Sequence, residues 1–172
     1  MSTLLIQPSG HTKSLLIALY SSNNNQEKAL SLINNENDKE ITAYMFSSAI
    51  SGCGTNYPKA LELLQKACLL NRADEAVFTA TAKCCAKNKK YLKSFKIIDA
   101  MLLRGMNFNK YSFSFIINAV LEYIILGNDV IKLLEKYLIL GYESNQKLIT
   151  SAVCQKVVRD LLIADKPLDA SR

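Results

Sequence analysis

Thr79, Lys83 and Lys87 follow one another at i, i+4 and i+8. On a helix that spacing sets a hydroxyl and two ammonium groups on one stripe. A cationic row of this kind neutralises phosphates and makes binding salt-dependent. Lysines also cover ordinary solvated helix faces, so the stripe alone leaves both readings open. The rest of the chain offers little to catalysis. His11 is the single histidine, and a Cys–His pair would need it to reach a distant cysteine with no third group to orient it. The five cysteines, Cys53, Cys68, Cys84, Cys85 and Cys154, form no C-x-x-C and no Cys/His spacing suited to zinc. Neither G-x-x-x-x-G-K-S/T nor G-x-G-x-x-G occurs, and the acids are scattered. The residues therefore point to a binding protein that is not an enzyme, with no metal and no cofactor. Unpaired thiols place it in the cytoplasm or another reducing intracellular compartment.

The elements that must position the stripe follow from composition. The chain has 172 residues, 49% hydrophobic and 21% charged, with a formal net charge of +6. That balance excludes a disordered or collagen-like chain. Three prolines and six glycines over this length favour long helices over a turn-rich β-sandwich. The amino terminus has no basic flank and too short an apolar run for a signal peptide. The most apolar stretch, Phe113 to Leu126, contains Asn118 and Glu122 and falls short of the roughly 20 residues a membrane span needs.

Three segments align along the chain: 41–74, 75–109 and 110–145, of 34, 35 and 36 residues. A fixed period of this size marks a helical repeat array. An aromatic opens each unit at Tyr44, Phe78 and Phe113. A second helix carries "KALELL" (59–64), "KSFKII" (93–98) and "DVIKLL" (129–134). Chain reversals fall at Asn71, Gly105 and Gly141, where a left-handed residue would end a helix. Residues 10–40 resemble a degenerate earlier unit and 146–163 a final first helix. The expected organisation is one domain over 10–163, with tails at 1–9 and 164–172.

These features resemble the pentatricopeptide repeat family: Tyr or Phe early in the first helix, "KALELL" in the second, and Met101 four residues before Gly105. Tetratricopeptide repeats are the nearest competitor, but their Trp and first-helix Gly-Tyr signature is absent. The resemblance implies an all-α, right-handed α-solenoid of antiparallel helix pairs with about four repeats. It also implies binding of single-stranded RNA on the first helices, one base per repeat. In the family, the residue after the early aromatic and the last residue of the unit select the base. The matching pairs here are Met45 with Asp74, Thr79 with Asn109, and Ser114 with Asn145. The last two resemble pairs used for adenine, whereas Met45 cannot hydrogen-bond a base edge.

Charge is uneven. Residues 75–109 hold seven basic and two acidic side chains. The stripe matching Thr79, Lys83 and Lys87 is Ser114, Asn118 and Glu122 in the third unit, which is not basic. In the first unit it is Met45, Ala49 and Cys53, which is apolar. Asn109 and Asn145 also suit helix N-caps. The RNA reading thus places Thr79, Lys83, Lys87, Ser114 and Asn118 in a groove, with Asn109 and Asn145 at unit ends. The rival reading is a protein or peptide scaffold, of which a bacterial effector is one form, favoured by the apolar stripe and the acidic third unit. No sequence feature sets the oligomeric state.

Overall fold

The computed structural model describes residues 9–23, 25–34, 37, 39–127 and 131–165. The expected tails fall largely outside these residues, as does the start of "DVIKLL" at 129–130. The fold is all-α. Among the described residues nine α-helices run in order: α1 (Gly10–Ser22), α2 (Gln26–Asn34), α3 (Ala43–Ser51), α4 (Tyr57–Leu69), α5 (Glu75–Lys87), α6 (Tyr91–Leu103), α7 (Lys110–Ile125), α8 (Ile131–Ser144) and α9 (Ser151–Asp165). A short 3-10 turn at Gln146–Leu148 precedes α9. Among the described residues no helix is long and apolar enough to cross a membrane.

Local chemistry sets most helix starts. The side chains of Ser9, Thr42, Asn56, Asp74 and Asn109 each accept a hydrogen bond from a backbone N–H in the first turn that follows. At Asn109 the bond is reciprocated, since Ser112 Oγ accepts from the Asn109 N–H at 2.9 Å. Each such cap satisfies orphan donors and contributes about 1 kcal/mol. Helix ends follow the expected reversals at two of three places. Asn71 and Gly105 are left-handed, with φ of 54° and 77°. Gly141 is not a reversal: it lies buried inside α8, which runs on to Ser144.

The chain divides into two compact units, residues 1–97 and 98–172, with the division inside α6. In the first unit, α1 packs on α2 and α3, and α3 packs on α4 and α5. Its core gathers Ile17, Ile33, Met45, Phe46, Ile50 and Val77, each at most 1% exposed. Met45, Ala49 and Cys53 all belong to this core. The apolar stripe that the sequence offered to a protein partner is therefore the inner face of α3. A polar tie closes the α3–α4 turn on α5, where the Asn88 side-chain amide donates to the Gly54 carbonyl at 3.0 Å.

In the second unit α7 packs on α8, on the 3-10 turn and on α9. Phe108 meets Phe113 and Tyr137 edge-on, with centroids 5.7 and 6.2 Å apart. Tyr137 is fully buried and donates its hydroxyl to Asp99 Oδ1 at 3.0 Å; Lys136 Nζ reaches the same oxygen at 2.7 Å. Burial and the adjacent Asp99 carboxylate both raise the Tyr137 phenol, so it stays protonated as a donor. Gly141 lies against Phe113. A Cβ at 141 would fall 2.0 Å from the Phe113 ring, too close for any rotamer to relieve without moving the ring.

Gly141→Ala should therefore destabilise the protein by about 1–3 kcal/mol, the usual cost of overpacking, read as a shift of the denaturant midpoint at unchanged slope. Burial also pushes the Cys53 and Cys85 thiols up to about 11. A thiol raised in the folded state favours the protonated form. Stability should hold below pH 9 and fall as pH rises from about 9 to 11, measured by the unfolding midpoint across that range.

Candidate functional site

The helices place the sequence-derived candidates in two separate settings. In the first unit, α5 carries Thr79, Lys83 and Lys87. Lys83 and Lys87 are exposed and line a small cleft against α3, with Ser51 and Gly54 opposite. Cys84 lies between the lysines in sequence and is turned inward. Burial raises its thiol while the Lys87 ammonium pulls the other way. Thr79 does not share this exposure. It is only 7% exposed, and its Oγ1 is covered and meets no hydrogen-bond partner among the described residues. The hydroxyl expected to read a base thus lies below the surface, because Thr79 follows the buried Phe78 on the packed side of α5.

Cap positions give a further correction. Phe78 and Phe113 each come four residues after their N-caps, Asp74 and Asn109. Counted from Thr42, the corresponding residue in α3 is Phe46, which is buried, and not Tyr44, which is 53% exposed. The residue after the aromatic is then Ser47 in place of Met45. Ser47 and Ser51 lie one turn apart on α3, and Ser51 also lines a cleft of about 230 Å³ between α1 and α3 with Ser22 and Ser48. The Ser51 hydroxyl donates to the Ser47 carbonyl at 2.8 Å. That leaves its lone pairs facing outward as acceptors. Thr42 carried the signal for this register: a capping residue followed by the apolar run.

In the second unit the structure brings more together than the sequence stripe did. A cleft of about 320 Å³ opens between α7, the 3-10 turn and the first turns of α9. Ser114 and Asn118 line one wall from α7. Ala152 and Val153 give it apolar surface, and the buried Phe113, Ile117 and Leu148 lie beneath. Lys110, Lys147 and Lys156 line the same cleft, and among the described residues no carboxylate does. Lys156 faces the buried Asp160 at 3.4 Å, which Arg159 also pairs with at 3.0 Å. Among the described residues no carboxylate pairs with Lys110 or Lys147. The stripe that looked non-basic along α7 is therefore one wall of a cationic cleft, its charge supplied by Lys110 one turn before Ser114 and by Lys147 and Lys156 from the elements that follow. The acidic member of the stripe, Glu122, does not line it.

The unit-end asparagines are caps. Asn109 Oδ1 accepts from the N–H groups of Tyr111 and Ser112, at 2.7 and 3.0 Å. Asn145 Oδ1 accepts from the Lys147 N–H at 3.0 Å. Asp74, the corresponding residue of the first pair, accepts from the Val77 N–H at 3.0 Å. Asn145 caps the 3-10 turn. The helix that follows starts later, with Thr150 Oγ1 accepting from the Val153 N–H. These oxygens are held by their own backbone, so their free valences toward a ligand are limited to what capping leaves.

Among the described residues no group of three or more His, Cys, Asp or Glu side chains could hold a metal ion. Cys154 alone of the five thiols is exposed, on α9. The α7–α9 cleft presents cations to an anion, a hydroxyl and an amide to polar edges, and a small apolar surface at Ala152 and Val153. The chain matches no known protein-family profile and no curated protein sequence.

Thr79→Val replaces a buried, unpartnered hydroxyl with a methyl of the same shape. It should leave stability unchanged or raise it by up to about 1 kcal/mol, and leave ligand affinity unchanged, read by denaturant titration alongside a binding isotherm.

Proposed function

We propose that this chain is a non-catalytic binding module for single-stranded RNA, built as a pentatricopeptide-like array of about four helix pairs forming a right-handed α-solenoid. The observation that carries the reading is the α7–α9 cleft, where Ser114 and Asn118 share one space with Lys110, Lys147 and Lys156. Polar edge-readers beside cations, two of which pair with no carboxylate among the described residues, are what a splayed base and its phosphate require. Supporting it, the first helix of each pair packs on the next within each unit: α1 on α3, α3 on α5, and α7 on α9. N-caps at Ser9, Thr42, Asp74 and Asn109 recur at a nearly constant interval. In this reading Ser114 and Asn118 meet the base, Lys110 and Lys147 meet phosphate, and Lys83 and Lys87 add a second cationic contact. Asn109 and Asn145 hold the helix starts that aim these groups.

A second reading, a protein-interaction scaffold, is favoured by α9. Val158, Leu162 and Ile163 are 59%, 59% and 45% exposed and line an open apolar cleft with Cys154. The buried stripe of Met45, Ala49 and Cys53 gives it no support.

Fluorescence anisotropy with labelled oligoadenylate across a salt series separates the two. RNA binding should weaken steeply with salt. Lys110→Glu with Lys147→Glu should lower affinity at least tenfold and reduce the salt slope by about one per lysine removed. Affinity unchanged in that variant, and in Lys83→Glu with Lys87→Glu, would refute the RNA reading.

A further inference from the structure

The α7–α9 cleft holds more positive charge than an internal stretch of RNA calls for. An internal phosphodiester carries one negative charge, and along a strand passing through, successive phosphates lie apart. Here three lysine side chains border one space of about 320 Å³, room for little more than one nucleotide. Only Lys156 has a carboxylate partner, and Asp160 divides that charge with Arg159. Lys110 and Lys147 are exposed and, among the described residues, pair with no carboxylate. Roughly two positive charges are thus left to the ligand. A phosphomonoester carries about −1.5 to −2 at neutral pH, with a second pKa near 6. Hydroxyl and amide groups complete the set: Ser114 and Asn118 meet no hydrogen-bond partner among the described residues, and Thr150 Oγ1 accepts from Val153 N–H, leaving its proton free to donate. Exposed Ala152 and half-buried Val153 supply the apolar surface beside these groups, over the buried Phe113 and Ile117; it suits the ring of the same nucleotide and favours RNA over a phosphorylated peptide side chain.

We infer that this cleft binds the terminal nucleotide of an RNA strand, with Lys110 and Lys147 holding its terminal phosphomonoester. The inference rests on the RNA-binding reading and adds to it a preference for a phosphorylated end. Affinity is compared for short oligoadenylates that are 5′-phosphorylated, 3′-phosphorylated or unphosphorylated, against the intact chain and against Lys110→Gln with Lys147→Gln. One phosphorylated end should tighten binding to the intact chain about tenfold. The gain should vanish in the glutamine variant, checked as folded by circular dichroism, and should shrink as pH falls through about 6, where the phosphomonoester loses its second charge. Equal affinity for all three oligonucleotides would overturn the inference while leaving RNA binding intact, and that comparison needs no variant. If no oligonucleotide binds, the RNA reading itself fails. Titration of adenosine monophosphate then decides the cleft: binding lost in the glutamine variant upholds the phosphomonoester site. Absence of binding, or preference for a phosphoserine peptide over the nucleotide, overturns it.

Discussion

The ring of Phe113 occupies space that any side chain at position 141 would need, and the second unit depends on that contact. It lets α7 and α8 approach closely, and it puts Phe113 1% exposed at the centre of an aromatic group with Phe108 and Tyr137. Helical periodicity does the rest. With Phe113, Ile116, Ile117 and Val120 turned inward, Ser114 and Asn118 must face out. The exposure of Ser114 and Asn118 is therefore a consequence of core packing. The Tyr137–Asp99–Lys136 contacts tie α8 to α6 on the other side of the same group.

The first unit uses the same principle with smaller parts. Phe46 and Phe78 are buried four residues past their caps, and α1, α3 and α5 lie side by side. Gly52 approaches Ser21 so closely that a Cβ there would lie 2.6 Å from the serine Cβ. Small residues at this crossing bring α1 and α3 together and leave a surface of serine hydroxyls. Thr79, which follows Phe78 as Ser114 follows Phe113, is covered in this unit. The exposed polar groups beside it are Lys83, Lys87 and Ser51.

Charge is placed differently in the two units. In the first, Lys83 and Lys87 come from one helix and were visible as a stripe. In the second, Lys110, Lys147 and Lys156 come from the start of α7, the 3-10 turn and α9, and they converge only because α9 packs on α7. The 3-10 turn inserted between α8 and α9 carries Lys147 to the cleft. It also explains why Asn145 caps a turn and not the next long helix. The same uninterrupted run through Gly141 to Ser144 that displaces the expected reversal delivers the chain to this turn.

Much of the architecture was legible in the residues. Helical periodicity, the capping side chain at Asn109, and the reversals at Asn71 and Gly105 are local effects, settled by groups within a turn or two of one another. For the same reason the all-α class and the exposure of Lys83, Lys87, Ser114 and Asn118 follow from the order of residues alone. Three matters did not. Gly141 has the composition of a helix end but serves a ring 28 positions away in sequence. Thr79 and Met45 occupy nominal reading positions, yet packing against neighbouring helices buries both. The cationic cleft joins the α7 stripe of Lys110, Ser114 and Asn118 to Lys147 and Lys156, which come from the 3-10 turn and α9. A residue's place on its own helix is determined by near neighbours, whereas its burial, and the charges it meets, are decided by which other helix comes to lie across it.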